Sequence, residues 1–264
     1  MAAPFEHSQR YITAPNIKVR HAFTTRLGGV SAGIFESLNL AESRGDDKSS
    51  VCENYRLICE ELGISPKSLV FSRQIHENVV KAVTIKDAHE LFSDIAYECD
   101  GLVTSDADAA LIIFMADCVP VLLHDPARGV IAAVHAGWRG TAKNICGAAT
   151  EKMSAEFGCD PGDIRAAIGP SISACCYETD KEVPDALFSA LGEGAESCVT
   201  PRGGKYMVDL KRANRFFLKN AGLTDENIFV SGDCTMCKSD VYWSHRATRG
   251  SRGSQAAIIT LKGL

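Results

Sequence analysis

Residues Ala109-Ala-Leu-Ile-Ile-Phe-Met-Ala-Asp-Cys118, Val119-Pro-Val-Leu-Leu-His124 and Val130-Ile-Ala-Ala-Val-His135 make three short apolar runs in close succession. Each is too short for a helix, and none alternates as a half-exposed strand would. Such runs suit strands covered on both faces. Working outward, further strands are expected at 17–24, 69–72, 79–85, 101–104, 164–168, 228–230 and 256–261. A helix is expected to open on a capping box at Ser50 and Glu53. Its apolar face would run through Val51, Tyr55, Ile58 and Leu62, with Gly63 as the stop. A second helix is expected over 141–157, with Ile145, Ala149 and Met153 on one face, and a third over 208–220. The pattern predicts an α/β fold: one domain with a large mixed β-sheet flanked by helices, spanning 1–264, with 1–16 as an N-terminal extension.

Composition narrows the function. The chain has 264 residues, 45% of them hydrophobic and 23% charged, enough to bury a sizeable core. Net charge is −5 and no basic stripe occurs, which argues against nucleic acid and against a membrane surface as partner. The longest strongly apolar run, 109–116, falls well short of the roughly 20 residues that span a bilayer. The first residues show no signal-peptide pattern, so a cytoplasmic protein is expected. Most of the 11 cysteines are expected to be small buried hydrophobes. Cys234-Thr-Met-Cys237 has no second pair at zinc-finger spacing, and the adjacent Cys175 and Cys176 read as structural; all four are left outside the site.

Three segments at strand ends carry chemistry: Arg73-Gln-Ile-His76, Ala116-Asp-Cys118 and His135-Ala-Gly-Trp-Arg139-Gly-Thr141. Two imidazoles and a thiolate from His76, Cys118 and His135 suit a borderline-soft divalent metal such as zinc. Three protein ligands leave a position open for water or substrate. Gly137 and Gly140 permit close backbone approach. Thr141 is expected to cap the following helix, with Arg139 as an anion clamp at its start. Taken singly, Cys118 could be a core thiol and His76 a satisfied surface histidine.

The motifs Thr24-Thr-Arg-Leu-Gly-Gly-Val-Ser31, Ser37-Leu-Asn-Leu40, Arg73-Gln-Ile-His76, Cys99-Asp-Gly101, Ala116-Asp-Cys-Val-Pro120, His135-Ala-Gly-Trp-Arg-Gly-Thr141, Ile168-Gly-Pro-Ser-Ile172, Cys176-Tyr-Glu178 and Cys234-Thr-Met-Cys237 occur in this order. Together they resemble the purine nucleoside phosphorylase family formerly described as laccase-domain or multicopper polyphenol oxidoreductase proteins, of the YfiH type. The resemblance runs from about residue 17 to the end. It implies zinc on His76, Cys118 and His135. It also implies phosphorolysis of adenosine, inosine, guanosine and methylthioadenosine, with deamination of adenosine. Its implied partners are purine nucleosides and phosphate, with no obligate protein partner.

Under that resemblance zinc would activate a water for deamination, with Asp100 or Asp117 moving protons. Asp117 could instead be a hydrogen bonder at a strand end. Phosphate would sit on Arg26, in its loop with Gly28, Gly29 and Ser31, or on Arg139; a surface salt bridge is the plainer role for Arg26. Gln74 and Asn39 could bond ribose or base edges, or merely stabilise turns. Trp138 could stack on the base or fill the core. One departure from the family pattern lies at Ser251-Arg-Gly-Ser254, which leaves substrate contact by that tail open.

Three rivals remain. A metal-independent cysteine hydrolase would use Cys118 as nucleophile and His135 as base. A copper-dependent oxidase needs an axial methionine. Met115 is expected on the opposite strand face from Cys118, and a multicopper enzyme needs more histidines than the seven present. The third rival is a binding protein without turnover.

Overall fold

The computed structural model describes residues 6–262. Along the chain, strands β1 (Glu6–His7), β2 (Tyr11–Thr13) and β3 (Arg20–Thr24) precede helix α1 (Lys48–Leu62). Then come β4 (Leu69–Val70), β5 (Val80–Ala82), β6 (Gly101–Thr104), β7 (Ala110–Met115), β8 (Val119–Asp125) and β9 (Val130–Ala136). Helices α2 (Trp138–Ala142) and α3 (Ile145–Phe157), strands β10 (Arg165–Ile168) and β11 (Glu178–Thr179), and helix α4 (Glu182–Leu191) follow. Strands β12 (Val199–Arg202) and β13 (Lys205–Val208), helix α5 (Leu210–Asn220), strand β14 (Ile228–Val230), helix α6 (His245–Thr248) and strand β15 (Gln255–Thr260) complete the set. Of the expected extension 1–16, residues 1–5 lie outside the described residues, and Tyr11–Thr13 pairs with β3.

The α/β class is as expected, but the strands divide between two six-stranded sheets, ordered β1-β2-β3-β15-β7-β4 and β14-β10-β8-β9-β6-β5. Both are mixed: each is antiparallel except where a parallel pair closes an edge, β4 on β7, β5 on β6 and β14 on β10. Consecutive runs β7 and β8 belong to different sheets. The chain turns between them at Asp117, whose φ of 82° lies in the left-handed region. A third sheet, β11-β13-β12, lies at one side.

Strand parity explains the layering. Leu111, Ile113 and Ile259 of the first sheet meet Leu102, Leu122, Ile131 and Ala133 of the second in one core. Their neighbours Ala110, Ile112 and Ile258 turn the other way, onto Tyr55, Ile58 and Leu62 of α1. On the outer face of the second sheet, Val121, Leu123 and Val134 pack with Ile145, Ala149 and Met153 of α3 and Phe217 of α5. The result is helix, sheet, sheet, helix.

Three helix starts differ from expectation. Asp47, not a Ser50–Glu53 box, caps α1, accepting the Ser50 amide at 2.8 Å; Glu53 instead pairs with Arg56. The helix expected at 141–157 is two helices, broken at Asn144 (φ 58°), whose side chain accepts the Gly147 amide. Helix α2 starts three residues early, at Trp138 behind a Gly137 N-cap, so Thr141 is inside it and bonds Ala136. Helix α5 begins at Leu210 behind an Asp209 cap. No described helix is long and apolar enough to cross a membrane.

Candidate metal centre and cavity

The three potential metal ligands are delivered by three kinds of local structure. His135 ends the interior of β9. Cys118 follows the Asp117 turn where the chain leaves one sheet for the other. His76 sits on a loop with φ of 62°, and that loop is wrapped around Asp100. The Asp100 carboxylate accepts the amides of Ile75, His76 and Glu77 at 2.9–3.1 Å and the His135 Nδ1–H at 2.8 Å. The ligand atoms of His76, Cys118 and His135 lie within 4.8 Å of one another. The two imidazoles stand at 90°, with ring centroids 4.9 Å apart. An alanine at 137 would put its Cβ 2.9 Å from His76 Cδ2 and 3.4 Å from Cys118 Sγ, so glycine leaves the room the trio needs.

The donor set fits a metal. Asp100 fixes His135 with Nδ1 as donor, which leaves Nε2 for an ion, the carboxylate–histidine arrangement of many metal sites. Burial alone would raise the Asp100 carboxyl, but the bonds from His135, Glu77 and Ile75 outweigh it and hold it low. Burial would also raise the Cys118 thiol; the neighbouring His135 and His76 outweigh that and pull it below its ordinary value. His135 moves oppositely: burial would lower it, yet Cys118 and Asp100 raise it. Without an ion, Cys118 and His135 therefore tend toward a thiolate–imidazolium pair.

The trio opens into a cavity of about 770 Å³. Its walls include Phe71, Phe92 and Phe114, and Arg44, Lys48, Arg73 and Arg252 supply positive charge. Arg73 is bridged to Glu98. Arg252 differs: it is 8% exposed, and its Nε has no hydrogen-bond partner among the described residues. Nη1 bonds only the Gly253 carbonyl and Ser254 Oγ. Burial, then repulsion from Arg44, lowers this guanidinium to about 10, offset only in part by Cys118 and Asp117. Such a cation is poised for an anion.

The structure engages the remaining sequence candidates in other contacts, and only Gln74 among them lines the cavity. Asp100 is fully buried with both oxygens engaged, so it positions His76 and His135 and has no lone pair to spare for substrate. Asp117 is tied to Thr235 Oγ1 at 2.6 Å and to the Arg246 amide at 2.7 Å, and is not a wall residue. Arg26 forms no anion loop: its guanidinium bonds the Glu36 and Ser239 carbonyls and lies 4.0 Å over Trp243. Ser31 bonds Asp46, and Asn39 bonds Asp46, Ala41 and Ser254. Arg139 stacks on Trp138 and reaches Glu182, away from the cavity, while Trp138 packs against the core. Gln74 does line the cavity, but its amide pairs with both backbone groups of Phe114. Met115 lines it too; the Asp117 turn ends β7, so the same-strand parity argument does not apply. Sequence reasoning missed Arg44, Arg252 and the phenylalanine walls. The one signal was the unexplained Ser251-Arg-Gly-Ser254.

The family model described as multi-copper polyphenol oxidoreductase laccase matches residues 20–262. A Bacillus subtilis protein named purine nucleoside phosphorylase YlmD is 36% identical over 94% of this chain and 90% of that protein. A Deinococcus radiodurans purine nucleoside phosphorylase is 40% identical over 95% and 92% respectively. The crystal structure of YlmD from Geobacillus stearothermophilus superposes with a TM-score of 0.93 at 34% identity, covering 98% of each chain.

Proposed function

The chain belongs to the family described as multi-copper polyphenol oxidoreductase laccase, and from that membership we propose that it is a zinc-dependent purine nucleoside phosphorylase. Adenosine, inosine, guanosine and methylthioadenosine are its substrates, adenosine deamination a side activity, and the cytoplasm its setting. The names of the relatives support the reaction class. The observation that carries the reading is Arg252: a buried, partly unpartnered guanidinium in the same cavity as a three-ligand metal centre. An anion and a nucleoside must meet in one place, and this cavity offers cationic and aromatic walls to both.

Phosphorolysis forms a bond from a phosphate oxygen to C1′ of the ribose, breaks the glycosidic bond and gives the departing base a proton. Arg252 and Arg44 hold the phosphate and lower the cost of bringing an anion into the protein. Phe92 and Phe114 offer surfaces on which a purine can stack, with the buried Phe71 backing Phe114. The proton source is Glu42, another cavity residue: its Oε2 accepts the Phe92 amide, and burial raises its carboxyl above the usual range. When bound, zinc supplies Lewis acidity at the end of the cavity formed by His76, Cys118 and His135. Copper fits less well, because the described residues hold no second histidine-rich cluster.

The test incubates protein with adenosine, with and without phosphate, and identifies the products. Adenine and ribose 1-phosphate forming only with phosphate support the reading. Absence of phosphate-dependent cleavage sinks it. Arg252→Met is expected to slow phosphorolysis about 100-fold, mainly through KM for phosphate, with phosphate-independent inosine formation much less affected. The Cys118–His135 charge pair favours a second reading, a cysteine hydrolase, which predicts that chelation leaves activity intact while alkylation of Cys118 abolishes it.

A further inference from the structure

A second cluster lies outside this cavity. Cys175 and Cys176, in the loop before β11, meet Cys234 and Cys237, in the loop after β14, and the four sulfurs lie within 4.8 Å of one another. Cys176 and Cys237 Sγ are 3.3 Å apart, Cys175 and Cys237 3.6 Å, and Cys175 and Cys176 3.7 Å. These separations are too long for a bonded pair, whose sulfurs stand about 2.05 Å apart. They are close to the edge of a zinc tetrathiolate: a Zn–S bond of about 2.3 Å sets tetrahedral sulfurs about 3.8 Å apart. Cys234 Sγ also accepts the Ser173 amide at 3.4 Å, the kind of outer bond that orients a thiolate ligand.

We propose that Cys175, Cys176, Cys234 and Cys237 bind a second zinc ion in a closed four-thiolate site. The CxxC lacked a partner pair in the sequence because that pair lies some sixty residues earlier and is vicinal. Binding releases the thiol protons to solvent, with no oxidation. Four protein ligands leave no open position, so the role is structural. The fold gives that role a target. Thr235, beside Cys234, donates its amide to Ser171 and its hydroxyl to Asp117, while Ile172 donates to the Asp117 carbonyl. Asp117 is the turn that presents Cys118. The second ion therefore braces, from behind, the corner on which the first site stands.

The experiment counts zinc in protein purified under reducing, anaerobic conditions. Two equivalents per chain are expected, falling to one in Cys175→Ser/Cys176→Ser and to one in His76→Ala. Cobalt in place of zinc is expected to show intense four-thiolate charge-transfer bands that His76→Ala keeps, whereas the double variant retains only the weaker band of the single Cys118 thiolate. Should the double variant fail to fold, a mercurial titration of native protein replaces it, with one zinc released as four thiols react. A zinc content unchanged by the double substitution, or a disulfide among these cysteines in anaerobic protein, overturns the proposal. Neither result touches the nucleoside assay, so the two readings fail separately.

Discussion

Asp100 shows how much one buried side chain can organise. Its four accepted hydrogen bonds fix the His76 loop and the His135 ring together, so its charge and its shape both matter. Asp100→Asn is expected to weaken metal binding about 10–100-fold, because an amide presents N–H where donors already point; competition with a chelator measures it. The trio could be nominated from its donor types, although Cys118 and His76 taken singly also fitted a core thiol and a surface histidine, and the fold brings the three ligand atoms together. The proposed anion site was not legible in the sequence. Arg26 beside two glycines and a serine has the composition of a phosphate loop, yet carbonyl oxygens occupy its guanidinium. Arg252 became visible only once burial and the want of a partner were known.

At the level of elements, the β9–α2 junction is a tight point that bears directly on the trio. Gly137 has φ of −63°, ordinary for any residue, so its requirement for glycine comes from space alone. Gly137→Ala is therefore expected to leave stability within about 1 kcal/mol of the parent while weakening metal binding about tenfold or more. Paired urea titration and metal competition check it, and a collapse of stability with intact metal affinity would refute the steric argument. Helix periodicity located α3 correctly through Ile145, Ala149 and Met153. It could not place the break before it, because no glycine or proline marks Lys143-Asn144; asparagine tolerates the left-handed turn without announcing it. The α4 helix and the β12–β13 hairpin were also missed, their apolar faces being short and interrupted by charges.

Across the whole molecule, the α/β class could be read from runs buried on both faces, but one sheet could not be told from two. That division depends on the backbone at Asp117, a residue whose sequence context gives no turn signal. Buried titratable groups add a property of the assembled fold. His124, 3% exposed, pairs in register with Arg165, and burial followed by repulsion from Arg165 and His21 lowers it to about 4, against a weaker pull from Asp125. The folded state thus prefers neutral His124, and the unfolded chain takes up the proton first as pH falls. Stability should be intact above about pH 6.5 and decline toward pH 4. His124→Gln should remove about 2 kcal/mol of the difference between urea stabilities at about pH 7 and pH 5; equal pH slopes in both proteins would refute this.

Strand β15 lies in the interior of its sheet, between β3 and β7, although every other strand precedes it in chain order. A ribosome must therefore deliver both of its neighbours well before the piece that joins them. Until then β3 and β7 expose unpaired edges, a state that invites chaperones and misassociation. Arg252 arrives in the same late instalment, so the cavity gains the cation proposed to grip phosphate only as those edges are covered.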